Sequence, residues 1–513
     1  IKNEIVTLEV DIDKFSSDIL SYKEVSKSPE CFVQFNPISD LPCSFKDISY
    51  SVKDYSKTQA LQDLLLNYQS DIIKNVYIFD YFKNEVQPIF LSKREGNVRC
   101  IQCHTRSSNF RLQPLDDHQL FWTDEQSRMN FDSASTLVLP GEDPLRSRFL
   151  THPLAADAGG DPFHGGGKHF DSQYDSEWRI MADWVAGAKT RREPSRIAVR
   201  IIQTNAAGDD STIIDPETNQ IVGHISDIEV PHGVVGAPDG SQIYITNEVM
   251  HSLDIVDART LRVKRRIPLS GRPNNLGVTS DGSKVYVAIM EMPGSVDIID
   301  VASMKNVKTL PVNGAIHNVY VTPDSRYAVA GSIQTRTINV IDTTTDELAW
   351  ELEMSSGIRP MTFDTNADGS TKNIFVQLSG FHGFAVVDFE SRKEVARVEH
   401  PAVPGEVAHL DGLQGAPAHG LAVSPDGTML WSTSKVYSHV YIHSLPDLKE
   451  VGRVFVGQHP EWITFTPDGK RAYIGAAGDN VTYAVDAIKM EAIAKIPVGQ
   501  VPKRIAMVRM AVD

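Results

Sequence analysis

Six segments of one design recur in the second part of the chain, and each places a tight turn before a strand rich in β-branched residues. They read APDGSQIYIT, TSDGSKVYVA, TPDSRYAVA, NADGSTKNIFVQ, SPDGTMLWST and TPDGKRAYIG. Successive turn aspartates are separated by 42, 43, 44, 58 and 42 residues, and they are Asp239, Asp281, Asp324, Asp368, Asp426 and Asp468. A period of this length is typical of a β-propeller, in which each repeat forms one four-stranded blade. A mainly β propeller is therefore predicted over residues 195–513.

A seventh blade is predicted from the two ends of this region. Residues 196–225 provide later strands without a preceding turn unit, whereas residues 501–512 provide a single strand, VPKRIAMVRMAV. Pairing of these two segments would complete one blade from both ends of the ring. Closure of this kind leaves no open sheet edge and so removes a site of aggregation.

The later strands of the repeats support a closer comparison. They end in Asp, as in SLDIVDARTLRVKRRIPL, SVDIIDVASMKNVKTLPV and TINVIDTTTDELAWELEM. In this they resemble the YVTN family of β-propeller repeats over some three-fifths of the chain. The resemblance implies a rigid seven-bladed ring that presents loops on two faces.

One position in each repeat is expected at the mouth of the central channel. It lies seven residues before each turn aspartate and once in the closing strand, and the residues are His232, Asn274, His317, Met361, His419, Glu461 and Lys503. Such a ring could bind a metal ion, an anion or a loop of a protein partner, or its side chains could simply be solvated. The three histidines fall on alternate blades, which argues against one shared ion. The 58-residue interval also contains an insertion that could form a loop over this mouth.

The run CIQCH carries a second signal. Cys100 and Cys103 could form thioethers with a haem, and His104 directly after them could ligate its iron. A zinc site would need two further ligands at short spacing, and a redox dithiol would be expected near a βαβ pattern. Neither context surrounds the motif, so one covalent haem c is predicted. The remaining cysteines, Cys31 and Cys43, are interpreted as free thiols.

The flanks of this motif resemble a bacterial cytochrome c domain over residues 86–190. They read VQPIFLSKREGNVRCIQCHTRSSNFRL, LVLPGEDPLRSRFLTHPLAADAGG and EWRIMADWVAGA. The resemblance implies that VQPIF opens the first helix, that the final amphipathic helix packs across it, and that His104 is the proximal ligand.

The sixth iron ligand stays open at this stage. The Met-Pro that often supplies it in such domains does not occur, and the corresponding loop reads DPFHGGGKHFDS. His164 is the first candidate, followed by His169 and then Met129, and an iron without a sixth protein ligand is a further alternative. Met181 is interpreted as a core residue of the final helix.

Residues 1–85 resemble part of the ferredoxin-like anticodon-binding domain of phenylalanyl-tRNA synthetases, through LPCSFKDISYSVKDYSKTQALQDLLLNYQSDIIKNVYIFDYFKNE. The match stops after βαβ, and the catalytic portion of a synthetase is not found, so tRNA ligase activity is not expected. The segment is either a real fusion or an erroneous join that has replaced a signal peptide.

Composition narrows the possible functions. The formal net charge of −16 argues against a nucleic-acid surface, and no run of apolar residues is long enough for a transmembrane helix. Attachment of haem c implies a periplasmic or otherwise exported protein. Three functions are considered: electron transfer to or from a redox partner protein or small carrier, a periplasmic oxidoreductase with a substrate or metal site at the propeller mouth, and a non-enzymatic binding module with a structural or sensory haem.

Overall fold

The computed structural model describes residues 6–7, 48–49, 79–94, 96–106, 110–117, 119–139, 143–187 and 196–512. Strands β1 (Val6–Thr7) and β2 (Ile48–Ser49) pair in parallel. The anticodon-binding resemblance of residues 1–85 falls almost entirely outside the described residues. The Cα positions divide the chain into two compact units. The first, here called the helical unit, has residues 1–116 and 122–192, and the second, which contains the propeller, has residues 117–121 and 193–513. No helix in the described ranges is long and apolar enough to span a membrane.

From residue 79 onward, the described part of the helical unit consists of short helices joined by loops. The α-helices are α1 (Phe79–Tyr81), α2 (Cys100–His104), α3 (Asp124–Ser135), α4 (Arg148–Thr151) and α5 (Ser176–Val185). Helix α1 continues as a π-helical turn, Phe82–Val86, and a 3-10 turn, Gln87–Phe90. Two further 3-10 turns are Pro144–Arg146 and Ala156–Ala158.

The first helical run differs from the prediction. The segment VQPIF was expected to open it, yet QPIF is its last turn, and the run crosses the expected domain boundary at residue 85. The physical reason is that the apolar face begins earlier, with Phe79 and Phe82 buried. Pro88 stands in the first turn of the 3-10 segment, where the missing proline N–H interrupts no helical hydrogen bond.

Helix α5 packs against this first run, as expected for the final helix. The rings of Phe82 and Trp184 have centroids 5.0 Å apart, and both side chains are fully buried. Arg94 pairs with Asp175, the N-cap residue of α5, and with Glu177 in its first turn. Met181 is buried in α5, as its spacing predicts. Aromatic packing and ion pairs together hold the helical run at residues 79–90 and the segment after it against helix α5.

The propeller comprises seven four-stranded antiparallel sheets within residues 196–512. Its innermost strands are β6 (Pro231–Gly236), β10 (Pro273–Val278), β14 (Ile316–Val321), β18 (Ile358–Thr365), β22 (Ala418–Val423), β26 (Pro460–Phe465) and β30 (Pro502–Val512). The second strands are β3 (Arg196–Asn205), β7 (Gln242–Asn247), β11 (Lys284–Ile289), β15 (Tyr327–Ser332), β19 (Thr371–Leu378), β23 (Met429–Ser434) and β27 (Arg471–Ala476).

The third strands are β4 (Asp210–Asp215), β8 (Ser252–Asp257), β12 (Ser295–Asp300), β16 (Thr337–Asp342), β20 (Gly383–Asp388), β24 (His439–Ser444) and β28 (Val481–Asp486). The outermost strands are β5 (Gln220–Ser226), β9 (Val263–Pro268), β13 (Lys305–Pro311), β17 (Glu347–Glu353), β21 (Lys393–Glu399), β25 (Glu450–Phe455) and β29 (Glu491–Pro497). Blade 1 is the sheet β30-β3-β4-β5, and blades 2 to 7 follow in chain order from β6-β7-β8-β9 to β26-β27-β28-β29. Each innermost strand contacts the innermost strands of both neighbouring blades, so the seven form a closed ring around the channel.

Blade 1 closes this ring as predicted. Strand β30 pairs with β3 in an antiparallel register that runs from Arg196 opposite Val512 to Asn205 opposite Pro502. The first and last segments of the propeller therefore share one sheet, and β3 is paired on both sides, by β30 and by β4.

The repeated turns owe their shape to their Asp and Gly residues. Asp281 accepts hydrogen bonds from the Thr279 hydroxyl at 2.6 Å and from the Ser283 N–H at 3.0 Å. Gly282 adopts φ +73°, a conformation that costs glycine little. In TPDSRYAVA the glycine is replaced, and Ser325 takes this conformation at φ 57°.

The apolar cores lie between adjacent blades. One cluster joins Trp431 and Ile442 of blade 6 to Ile474 and Val485 of blade 7, and all four side chains are fully buried. The outermost strands are mostly exposed, and their partly or fully buried residues fall at alternate positions, because only one of their faces meets a neighbouring sheet. The β-branched runs in the sequence therefore supply both the strand propensity and the core.

A pair of substitutions in blade 7 tests this arrangement. Ile474→Ala removes a fully buried side chain, and we expect it to lower the free energy of unfolding by about 2–5 kcal/mol. The matched control Ile493→Ala lies on β29 with 46% of its side chain exposed, and a change of about 0.5 kcal/mol is expected. Urea denaturation followed by circular dichroism measures both, and equal effects would contradict the assigned core.

Candidate functional sites: a histidine cluster and the propeller mouth

Helix α2 consists of the CIQCH run itself. Cys100 is partly buried, Cys103 is exposed, and both are free thiols. Burial, with the nearby Glu177 carboxylate, raises the pKa of Cys100 to about 12. Redox-active and zinc-binding cysteines act as thiolates and are usually found where the thiol pKa is lowered. The surroundings of Cys100 therefore disfavour both of these uses and are compatible with a neutral thiol or a thioether.

The His104 imidazole is held in one tautomer. Its Nδ1 lies 2.9 Å from the carbonyl oxygen of Phe110, and the N–H of Leu112 donates to the carbonyl oxygen of His104 at 2.9 Å. Because a carbonyl oxygen only accepts, the proton is on Nδ1 and the Nε2 lone pair is available to a metal. Histidine ligands in metalloproteins are commonly oriented by such a bond. Burial lowers the pKa of His104, which also favours the neutral, ligating form.

The imidazole of His164 is also held by a hydrogen bond from Nδ1 to a backbone carbonyl. This Nδ1 donates to the carbonyl oxygen of Gly167 at 2.6 Å, and the Gly167 backbone is left-handed, with φ +84°. The imidazole centroids of His104 and His164 are 6.1 Å apart, and the ring planes differ by 22°. With metal–nitrogen bonds of about 2 Å on either side, two imidazoles across one ion have centroids roughly 6 Å apart. The centroid separation of this pair therefore matches that of two imidazoles sharing one ion.

The other candidate ligands are placed differently. His169 is buried with its centroid 6.0 Å from that of His164, and burial lowers the pKa of His169 to about 4. His152 lies 4.7 Å from the His164 ring, with its Nδ1 2.8 Å from a carboxylate oxygen of Asp161. Met129 is on α3 with 40% of its side chain exposed. The structure thus groups His104, His164 and His169, and it gives Met129 a surface position.

The donor set indicates what kind of metal group this site could hold. Within the described residues, no three or more His, Cys, Asp or Glu side chains are arranged to bind a metal ion on their own. Two facing imidazoles leave an ion short of donors unless a ligand supplies the rest, as the four nitrogens of a porphyrin do. The centroid of the buried Phe110 ring lies 4.7 Å from that of the His104 imidazole, and the buried rings of Phe90 and Phe149 pack against Phe110. These residues fit a haem bound through the CIQCH run.

Six of the seven residues predicted for the propeller mouth occupy one equivalent position in their blades. Each follows the first paired residue of its innermost strand, at a bulge in the ladder. In blade 5 the prediction was wrong, because Met361 pairs with Val376 and is buried in the core, while Arg359 occupies the mouth position. The hairpin after β18 is two residues longer than its counterparts, so counting back from the turn aspartate missed the position by two. We call the seven residues the mouth ring, and they are His232, Asn274, His317, Arg359, His419, Glu461 and Lys503.

Glu461 is the centre of a buried charge cluster. Its Oε1 lies 2.8 Å from the Lys435 ammonium and 3.1 Å from that of Lys503, and its Oε2 lies 2.8 Å from His419 Nδ1. Glu461, Lys435 and His419 are each less than 5% exposed. His419 and the lysines hold the pKa of the Glu461 carboxyl well below its usual range despite burial. Lys435 follows β23 and was missed in the sequence, since it belongs to no repeated position.

Arg504 crosses the channel below the mouth ring. From blade 1 it donates to Asn274 Oδ1 of blade 3 at 2.9 Å and to Asn318 Oδ1 of blade 4. Its guanidinium carbon lies 3.5 Å from the centroid of a Trp462 ring in blade 7. A side chain bonded to blades on different sides of the ring must occupy the axis. The central position of Arg504 could not be recognised from the repeats, because Lys503, the residue before it, is the one in register with the ring.

The insertion between β21 and β22 reaches the mouth, as expected for a covering loop. Gln414 accepts a hydrogen bond from Arg359 through its backbone oxygen at 2.8 Å, and its side-chain oxygen lies 3.5 Å from the Lys503 ammonium. Its backbone is left-handed, at φ 51°. One exposed loop residue therefore contacts mouth-ring cations of blades 5 and 1.

No protein-family model matches the chain, and no curated protein matches it. Solved structures do resemble its propeller. A Pseudomonas aeruginosa periplasmic gluconolactonase, PpgL, is 16% identical over 61% of this chain and 99% of its own, with a TM-score of 0.50. The dihydro-heme d1 dehydrogenase NirN matches at 14% identity over 68% and 89%, with a TM-score of 0.47. Kuenenia stuttgartiensis hydrazine synthase matches at 21% over 56% and 97%, with a TM-score of 0.47. Of the three, the similarity to the gluconolactonase is the one that supports a conclusion, and at 16% identity it shows the propeller fold alone.

Acid should destabilise the propeller through its mouth histidines. Burial lowers the pKa of His419 to about 3, although Glu461 beside it favours the charged form and Lys435 and Lys503 oppose it. An unfolded histidine titrates near pH 6.5, so below that pH the unfolded chain binds more protons and stability is lost as the pH falls. Between pH 7 and 5, His419→Gln should reduce the slope of unfolding free energy against pH by about 1 kcal/mol per unit.

Urea denaturation at several pH values measures this slope. The control His224→Gln alters a side chain that is 51% exposed, and the slope should match that of the unsubstituted protein. Equal slopes for all three proteins would show that His419 is not buried as a neutral imidazole.

Proposed function

We propose that the chain is an exported haem c protein that transfers electrons. Cys100 and Cys103 would form the thioether links to the haem, and His104 and His164 would ligate its iron. The observation that supports this most strongly is the pairing of two imidazoles, 6.1 Å apart, each with its Nδ1 on a backbone carbonyl. The CIQCH motif and the resemblance of residues 86–190 to cytochrome c domains support the same conclusion.

The chain's residues have defined roles in this proposal. A bound haem supplies an iron that alternates between Fe(II) and Fe(III). The Phe110 and Gly167 carbonyls hold His104 and His164 in the ligating tautomer, and the buried Phe110 ring, which packs against Phe90 and Phe149, would exclude water beside His104. Covalent attachment prevents loss of the haem. Two histidine ligands favour a lower reduction potential than a His/Met pair would.

Electrons pass between the haem and a redox partner protein, a small carrier or a site on the propeller. The mouth ring is the proposed place for such a partner or substrate, since its buried charges converge at one end of the channel. An oxidoreductase with its substrate at this mouth is the second candidate function, favoured by the Glu461 cluster. Attachment of haem c places the proposed protein in the periplasm or another exported compartment. Residues 1–85 are assigned no part in this activity.

Loss of the two motif cysteines should abolish covalent haem binding. The full chain is produced behind an export signal in a bacterial host that attaches haem c, and haem is measured after extraction with acid and organic solvent. We expect a Soret band that stays with the protein, and its loss in Cys100→Ser/Cys103→Ser, because both thioethers are removed. The matched control Cys31→Ser/Cys43→Ser should retain it.

Electron exchange tests the function separately from haem attachment. The haem-loaded protein should be reduced and reoxidised by redox dyes and by a small cytochrome. A loaded protein that exchanges electrons with none of them would reject the relay and leave a structural or sensory haem.

Removal of the distal histidine should change the iron's spin state without releasing the haem. In His164→Ala we expect the low-spin absorbance and electron paramagnetic resonance spectra to become high-spin, and added imidazole to restore them. The control His169→Ala changes a buried neighbour of the same loop and should leave the spectra unaltered. A spectral change in the control alone would assign the sixth ligand to His169.

A further inference from the structure

The propeller mouth gathers more positive than negative charge, although the chain as a whole carries −16. Four cationic side chains meet there from blades 1, 5 and 6, and they are Arg359, Lys435, Lys503 and Arg504. The carboxylates of the same region are Glu461 and Glu248, the latter 3.8 Å from His232. Burial lowers the pKa values of His232 and His317 far below the usual value, so neither adds charge near neutrality.

Two of the cations, Arg359 and Arg504, form no close ion pair among the described residues, although Glu461 attracts both of them and Glu248 attracts Arg504 from farther away. Lys435 and Lys503 both pair with Glu461. Arg504 is only 3% exposed, and its hydrogen bonds go to neutral oxygens of Asn274, Asn318 and Tyr320. Arg359 bonds the Ser379 hydroxyl and the Gln414 backbone. Within the described part of the chain, neither guanidinium lies within 4.0 Å of a carboxylate. Buried charges of this kind are costly unless a counter-charge joins them.

Unused hydrogen-bonding atoms lie in the same place. The Nε of Arg504 and the Nδ1 of His232 are buried and find no hydrogen-bond partner among the described residues. Buried polar atoms are nearly always satisfied, so an orphan atom in a channel mouth indicates a ligand or water. The guanidinium nitrogens of Arg359 and Arg504 are donors in a fixed planar fork, which suits the paired oxygens of carboxylate and phosphate.

Three of the cationic side chains, those of Arg359, Lys503 and Arg504, lie close together at the mouth. Arg359 and Lys503 both contact Gln414, so their side chains converge from opposite parts of the ring beneath the same loop residue. Arg504 follows Lys503 in the chain and forms the floor of the mouth. Neutral His232 and His317 can donate or accept from the sides. A metal ion is disfavoured, because no three acidic or thiol and imidazole ligands are grouped in the described residues and the local charge is positive.

We infer that the mouth ring is a binding site for a small oxyanion, a carboxylate or a phosphate, held between Arg359 and Lys503 above Arg504. Gln414 lies over the anion and separates it from solvent. The site is independent of the proposed haem and needs no electron transfer.

Isothermal titration of the full chain with inorganic phosphate and with acetate tests the inference. We expect at least one of them to bind, and the double variant Arg359→Gln/Lys503→Gln to weaken that binding at least tenfold. Neither residue belongs to a core, so this variant should fold, which its circular dichroism spectrum and thermal midpoint check. The matched control Arg326→Gln/Lys470→Gln removes two exposed propeller cations and should bind as the unsubstituted protein does.

The relative affinities identify the ligand class. Tighter binding of acetate supports a carboxylate ligand, and tighter binding of phosphate supports a phosphorylated one. The inference is overturned if neither anion binds, or if the folded double variant binds as well as the control. Haem content and redox activity are measured on the same samples, so failure of the haem proposal is recognised separately.

Discussion

The antiparallel pairing of β30 with β3 is the constraint on which the propeller depends. It joins the last strand of the chain to the first segment of the ring, and it completes the one blade that the other six leave open. The same pairing fixes the positions of Lys503 and Arg504, because both lie at the bulge where β30 enters the ladder. Closure of the ring and the positions of two of the four mouth cations are therefore set by one strand.

Burial determines the chemistry of both candidate sites. In the helical unit, burial raises the pKa of the Cys100 thiol and lowers the pKa of the His104 imidazole. Both side chains are therefore favoured in their neutral forms before any haem is attached. In the propeller it keeps the mouth histidines neutral while Glu461 stays ionised beside two lysines. The difference arises because Glu461 has cationic partners in contact and the histidines do not have enough negative charge nearby to offset desolvation.

Much of the fold could be predicted because the repeats are local in sequence. Turn aspartates and β-branched runs define the strands, and a regular period gives the blade count and the closing pair. The error at Met361 came from a hairpin two residues longer than the others, which only strand register reveals. Arg504 could not be predicted, since its partners come from blades 3, 4 and 7 and are distant in the chain. His164 was predicted from its glycine-rich loop, whereas its distance from His104 required coordinates.

Arg504 also has a consequence for the mechanics of the ring. Its guanidinium hydrogen-bonds to blades 3 and 4 and stacks on Trp462 of blade 7, while its backbone belongs to blade 1. One buried side chain therefore braces four blades from inside the channel, and a change at Arg504 would act on all four of them together.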